Sequence, residues 1–396
     1  MMKNAAATAL AVALAFPAVA GNVDGKYKPG KGFSFESADG SAKINLGGRI
    51  QARYTYEEFD SDRGSVSSPV EDEGTFTAER VRFHAKGHIF DNWHYKFQAD
   101  FGKGTSENLK DASLTYKHGS QFAVTMGQFK VGFDHQQRTS SGKQMFVDRS
   151  NSARKLGISR DIGVMIHGSA ADKRFQWNLG VYNGEGEDRS NPNDGYMAAG
   201  RIAFHPNGDY GHSEHDLERT DDHLWLISLG AALNSDRIGT FSSFDTHTDM
   251  TSWVFSVGYK HAGFNVQGEY YSRDNDVDCV NCGADSTSAM TIADTSFDSE
   301  AWYLQLGYVF AQDWALSGRY GIYDPNTSNL TDSYRWDEET EAMIGVSKYF
   351  QGVGHSLKFD ADVSFLEEEF VNSNTSGTFK DSYDDTRVRL QLQIVF

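Results

Sequence analysis

Alternate residues of this chain sort onto two chemically different faces, segment after segment. Between 44 and 56, Ile44, Leu46, Gly48, Ile50, Ala52, Tyr54 and Tyr56 share one face, and Asn45, Gly47, Arg49, Gln51, Arg53 and Thr55 the other. Val81, Phe83, Ala85, Gly87 and Ile89 then alternate with Arg80, Arg82, His84, Lys86 and His88. After Asp91-Asn92, Trp93, Tyr95, Phe97, Ala99 and Phe101 alternate with His94, Lys96, Gln98 and Asp100. A helix would scatter such residues around its circumference, whereas an extended strand separates them completely.

The pattern returns near 111–117, 121–130, 161–168, 174–183, 196–204, 223–233, 252–261, 264–273, 300–310, 314–323, 339–350, 356–366 and 386–396. With the first three segments this makes sixteen strands, each close to the ~9–11 residues of a tilted bilayer crossing. Connections alternate in length. Short ones, such as His118-Gly119-Ser120 and His261-Ala262-Gly263, fall between long ones near 57–75, 131–160, 234–251, 274–299, 324–338 and 367–385. Only His205 to Asp222 is long where a short turn is due. The expectation is an all-β fold, a 16-stranded antiparallel transmembrane β-barrel with long external loops and short periplasmic turns. Composition agrees: 27 Phe, 18 Tyr, 7 Trp and 39 Gly stand against 6 Pro. A barrel of this size is wide enough to enclose an aqueous channel, so diffusion of small polar solutes is the first functional expectation.

The termini fit an exported protein. Lys3, the apolar run Ala5 to Ala15, Pro17 and Ala18-Val19-Ala20 read as a signal peptide over 1–20, too short to span a membrane as a helix. Residues 21–43 are expected to form a periplasmic N-terminal segment and 44–396 the barrel. Net charge is −18 over the 396 residues, which disfavours nucleic acid as a partner. Cys279 and Cys282 are expected to form a local disulfide in an exported loop. Neither G-x-S-x-G nor H-E-x-x-H occurs, so hydrolase chemistry has no motif to stand on, and no cofactor is expected.

Gly48-Arg49-Ile50-Gln51, Glu79-Arg80-Val81-Arg82-Phe83, Met126-Gly127-Gln128-Phe129-Lys130, Thr139-Ser140-Ser141 and Ser159-Arg160-Asp161-Ile162-Gly163-Val164 occur in that order. Together they resemble the phosphate-selective porin O and P family of Gram-negative outer membranes. The resemblance implies a homotrimer of sixteen-stranded barrels, a third external loop folded inward to narrow each pore, and pore-lining Arg and Lys that conduct phosphate or other anions. Phe396 resembles the terminal aromatic by which barrel-assembly machinery recognises its clients. One departure is plain. The family carries Lys two residues before Thr-Ser-Ser; here that place is Gln137, with Arg138 next to it.

Local charge points the same way. The segment 132–160 holds Arg138, Lys143, Arg149, Arg154, Lys155 and Arg160 against Asp134 and Asp148, a basic stretch in an acidic chain. Folded inward, it would face Arg49, Arg53, Arg80, Arg82 and Lys86, and converging cations in a narrow pore concentrate anions. Hydroxyls of Thr139, Ser140 and Ser141 would replace part of an anion's hydration shell. The competing expectation is that these cations merely pair with acidic wall residues or with lipopolysaccharide phosphates. The other long loops are acidic, with Glu57, Glu58, Asp60, Asp62, Glu71, Asp72 and Glu73 in the first, Asp274, Asp276, Asp278, Asp285, Asp294 and Asp298 in the sixth, and Glu367, Glu368, Glu369, Asp381, Asp384 and Asp385 in the last. A general or weakly cation-preferring pore, or an adhesin or receptor barrel working through these loops, is therefore the alternative. Asp274-Asn275-Asp276-Val277-Asp278 lacks the Gly and distal Glu of a calcium loop. His205, His212, Glu214, His215 and His223 crowd the anomalous turn, for which a polar turn is expected rather than a metal site.

Overall fold

The computed structural model describes residues 23–60, 64–65, 68–104, 108–241, 244–279, 294–311, 313–326, 334–350, 354–374 and 377–396. The expected signal peptide and Cys282 lie outside the described residues. A short hairpin, β1 (Val23–Lys28) and β2 (Gly32–Ser37), precedes the first barrel strand, β3 (Ala42–Glu58). A two-residue pair, β4 (Gly64–Ser65) and β5 (Ser68–Pro69), decorates the following loop. The barrel continues through β6 (Glu73–Ile89), β7 (Trp93–Asp100), β8 (Asn108–His118), β9 (Phe122–Lys130), β10 (Arg160–Ala170), β11 (Phe175–Tyr182) and β12 (Met197–Phe204). It is completed by β13 (Leu224–Phe241), β14 (Phe244–His261), β15 (Phe264–Cys279), β16 (Asp294–Val309), β17 (Trp314–Asp324), β18 (Tyr334–Phe350), β19 (Gly354–Asn374) and β20 (Gly377–Val395). Consecutive barrel strands pair antiparallel, and β20 returns to β3, with Thr386 opposite Glu58 and Val395 opposite Arg49. Sixteen strands thus form a closed antiparallel barrel.

The period-two pattern explains which face meets what. Outward residues such as Leu114, Met126, Leu233 and Ile344 are 57–65% exposed, with no protein layer over them, as a lipid-facing wall requires. Aromatic rings gather where the strands meet the short turns: Trp93 lies 5.2 Å from Tyr116, and Trp225 4.6 Å from Tyr259. Such rings suit the membrane–water boundary, where one end is apolar and the other wet.

Two differences from the sequence reading have physical causes. Strands expected to stop near 233, 252, 366 and 386 instead run to Phe241, Phe244, Asn374 and Gly377. Beyond the lipid both faces of a strand meet water, so the apolar alternation ends while the hydrogen-bond ladder continues. The calcium-like stretch Asp274 to Asp278 is part of that ladder, with Asp274 opposite Asp298, and is no loop. The N-terminal segment is also sheet. Phe33 to Glu36 of β2 pair with Leu46 to Lys43 of β3, directly below the register that β20 occupies. Phe396 fills the junction, exchanging backbone hydrogen bonds with Gly48 at 2.7 and 3.0 Å. Its ring lies 2.6 Å from where a Cβ on Gly48 would stand, so that position accepts only glycine without displacing the terminus.

Candidate constriction site

Between β9 and β10 the chain leaves the wall and enters the lumen. The neck of this loop (131–159) is closed by the Val131 N–H donating to the Ser159 carbonyl at 2.9 Å. Arg160, expected as the last loop residue, is instead the first of β10, opposite Lys130. The loop forms two short helices, α1 (His135–Arg138) and α2 (Asn151–Lys155), capped by side chains of Asp134 and Ser150. Each cap accepts a backbone N–H that a first turn leaves free.

The far wall supplies the remaining partners. Glu269 of β15 accepts from the His135 and Gln136 N–H groups at 2.8 and 3.1 Å. Asp362 of β19 accepts from Val147 at 3.1 Å, and Glu341 of β18 from Asn151 at 3.2 Å. Lys358 donates to the Gln144 carbonyl at 3.1 Å. Apolar loop residues Val131, Phe133, Ala153 and Leu156 pack on inward-facing Tyr182, Met197, Val254, Tyr271 and Tyr303. Glu269, Glu341 and Asp362 therefore face the back of the loop rather than pore water.

The anomalous connection 205–223 comes from the opposite end of the barrel and meets this loop. Glu214, 1% exposed, accepts from Met145 N–H at 2.7 Å and Gln136 Nε2 at 3.2 Å, while its own N–H donates to the Lys143 carbonyl at 3.0 Å. His215 is held between the Tyr349 hydroxyl at 2.6 Å and the Ser317 hydroxyl at 2.8 Å. Lys260 donates to the Tyr210 carbonyl at 3.0 Å. The histidines do not converge: His223 turns away to the Tyr259 hydroxyl at 2.7 Å. Among the described residues no group of three or more His, Cys, Asp or Glu is placed to hold a metal ion.

Burial locates the open side of the lumen. Inward residues Ser256, Gln267 and Gln305 of β14, β15 and β16 are fully covered. Those of β6, β7 and β8, namely His84, Lys86, Lys96, Thr115 and Lys117, are half-buried or exposed. The water-accessible passage therefore runs along the N-terminal wall, which carries Arg82, Lys86, Lys96 and Lys117. The acids on that wall are already engaged: Asp100 with Arg82 at 2.6 Å, and Asp111 with Lys96 at 3.0 Å and Arg160 at 3.2 Å.

Of the ten residues singled out in the sequence, four form one cluster. Arg49 donates through Nη2 to Ser141 Oγ at 2.7 Å and through Nη1 to Ser140 Oγ at 3.4 Å; Arg82 Nη1 donates to Ser141 Oγ at 3.2 Å. Among the described residues Arg49 has no carboxylate partner. Arg53 and Arg80 sit together on Asp148, each at 2.9 Å. Lys86 and Lys143 are exposed and, among the described residues, make no ion pair. Arg138 stands apart; its carbonyl accepts from Lys130 Nζ at 3.0 Å. Arg160 is absorbed by Asp111. Sequence reasoning placed Arg149 only among the loop's cations and missed its structural part: its guanidinium donates to the Gln136 and Thr139 carbonyls at 3.1 and 2.7 Å. It also missed Glu79. Gln51 lies opposite Arg80 but Ala52 opposite Ala78, so Glu79 is the extra residue of a bulge, which re-aims a side chain.

The model of the family described as phosphate-selective porin O and P matches residues 44–396. An uncharacterized protein of Aquifex aeolicus is 22% identical over 333 residues, 75% of this chain and 71% of its own. Among solved structures, an anion-selective porin from Comamonas acidovorans superposes with a TM-score of 0.59 at 13% identity, covering 90% of this chain and all of its own. The outer-membrane channel DcaP of Acinetobacter baumannii gives 0.57 at 16% identity, covering 91% and 99%. The trimer form of OmpT of Vibrio cholerae gives 0.56 at 12% identity, covering 90% and 100%. At these identities the structures speak for the fold.

Proposed function

Since the chain belongs to the phosphate-selective porin O and P family, and so is an outer-membrane barrel that acts as a passive channel rather than an enzyme, we propose that it conducts small anions, phosphate among them. The observation that carries this is the cluster of Arg49 and Arg82 on the hydroxyls of Ser140 and Ser141. Guanidinium and hydroxyl donors side by side in a confined pore replace an anion's hydration, and a planar guanidinium matches an oxyanion's edge. At the constriction the carboxylates of Glu269, Glu341 and Asp362 are turned to the loop's backbone, and those of Asp100 and Asp111 to neighbouring bases. Arg53, Arg80, Lys86, Lys96 and Lys143 extend the same positive lining above and below.

A second reading has its own observation. On β18, β19 and β20 acids stand in register: Glu339 opposite Glu368, Glu338 opposite Glu369, and Glu367 opposite Asp384. Such a rim draws cations within about 8 Å at physiological ionic strength, and a general or weakly cation-preferring pore would follow if the rim controlled entry. The reversal potential in a potassium chloride gradient across a planar bilayer separates the two. A chloride-favouring potential is expected; a potassium-favouring one assigns control to the rim.

The same reading includes cleavage after Ala20, a periplasmic position for 21–43, a homotrimer, recognition of Phe396 by barrel-assembly machinery, and lipopolysaccharide against the external rim. The trimer form of OmpT, an outer membrane protein of Vibrio cholerae with a similar fold, supports the third of these.

A further inference from the structure

Asp148 is bound the way a free anion would be. Its Oδ2 accepts from Arg53 Nη1 at 2.9 Å and Arg389 Nη1 at 3.2 Å; its Oδ1 accepts from Arg53 Nη2 at 3.1 Å and Arg80 Nη2 at 2.9 Å. Four charged N–H donors thus serve one carboxylate, about the full capacity of its lone pairs. All three guanidiniums come from the wall, from β3, β6 and β20, while the carboxylate comes from the inserted loop. Each donor is also fixed without it. Arg53 holds the Gln391 side chain at 3.0 Å, Arg80 the Gln51 side chain at 3.1 Å, and Arg389 the Asp362 carboxylate at 2.7 Å. The cradle is therefore built independently of its occupant. Burial alone would raise the Asp148 carboxyl, but Arg80, Arg389 and Arg53 outweigh it and hold it well below the usual carboxylate range.

The cradle is reachable. A cavity of about 620 Å³ opens on it, lined among others by Arg53, Glu79, Asp148, Arg154 and Arg389, ample for a small oxyanion. Asp148 is 17% exposed on its side chain, against 6% for Arg53 and Arg389 and 15% for Arg80, so the occupant is more open to water than two of its hosts and level with the third.

We propose that Arg53, Arg80 and Arg389 form an oxyanion-binding subsite in which Asp148 sits as a tethered carboxylate, and that a permeating carboxylate or phosphate binds there by displacing it. This rests on the anion-channel reading and deepens it. A tethered occupant lowers the affinity of the site by mass action, keeping it weak enough for an anion to leave, as conduction requires.

The test uses the full mature chain in planar bilayers, with inorganic phosphate and acetate as separate probes added to a chloride current. Asp148→Asn keeps the shape and removes the charge. Its half-blocking concentration for at least one of the two anions is expected to fall about tenfold relative to the parent, equivalent to ~1.4 kcal/mol; block by phosphate but not acetate assigns the site to multivalent oxyanions, and block by both to oxyanions in general. Asp148→Asn combined with Arg389→Gln is expected to lose that gain. Unchanged block by both anions in Asp148→Asn overturns the proposal, as does a gain that survives Arg389→Gln. Should Asp148→Asn fail to show the heat-modifiable band of a folded barrel, Asp148→Glu serves instead. Its longer side chain seats the carboxylate less well, so tighter block supports displacement and unchanged block overturns it. A parent channel that favours potassium would refute the anion reading itself, a result distinct from all of these.

Discussion

Arg49 is 8% exposed, and among the described residues it meets hydroxyls rather than a carboxylate. A guanidinium held so deep without a carboxylate in contact costs stability, and its retention points to what moves past it. Arg49→Gln is therefore expected to separate two properties that usually fall together. Thermal unfolding of the barrel should stay level or rise, while the chloride-to-potassium permeability ratio falls several-fold. A parallel loss of both would make Arg49 a packing residue. At this scale the sequence was informative about type and poor about pairing. Arg49, Arg82, Ser140 and Ser141 were legible as a group because alternation assigns the arginines to the inner face and charge singles out the loop. Asp148 was not, because its partners Arg53, Arg80 and Arg389 lie 95, 68 and 241 positions away. Glu79 was hidden by the bulge, since one extra residue reverses the parity on which an inward assignment depends.

Two elements, not one, shape the constriction. The loop 131–159 descends from the long-hairpin end, and the connection 205–223 rises from the other to hold it. Glu214 is the clasp: it accepts two donors from the loop, and its own N–H donates a third hydrogen bond. Leaving buried donors unsatisfied costs ~1–3 kcal/mol each, so Glu214→Ala should loosen the loop without opening the barrel. The expected result is larger, noisier single-channel current and new proteolytic cleavage near Lys143, with the heat-modifiable band retained; quiet current of unchanged size would show that the wall contacts suffice. The excess length of 205–223 was visible in the sequence, but its destination was not. That destination is written in the wall: inward positions of β11, β12 and β14 to β16 carry Tyr182, Met197, Val254, Tyr271 and Tyr303 where a purely solvated lumen would carry polar groups. Alternation marks a strand by its apolar outward face, and apolar residues on the inner face as well blur that signal.

The whole molecule separates charge by place. Its net −18 is concentrated toward the long hairpins, whereas the open wall of the lumen is basic, so bulk composition says nothing about selectivity. Closure is the other global property, and it depends on the ends of the chain. The β3–β20 ladder stops at Arg49, and below it the edge of β3 is covered by β2 from Leu46 to Lys43, with Phe396 between the two registers. Removing residues 23–37 would expose that length of β3 as an unpaired edge. The Arg49 cluster would be left in place, because β3 from Arg49 onward is paired with β20 and not with the hairpin. The deletion is therefore expected to lower the temperature at which the folded band converts to the unfolded one in detergent, with the reversal potential preserved. If selectivity changed with stability unaltered, the hairpin would have to contact the passage, and the division between a sealing end and a selecting middle would be wrong.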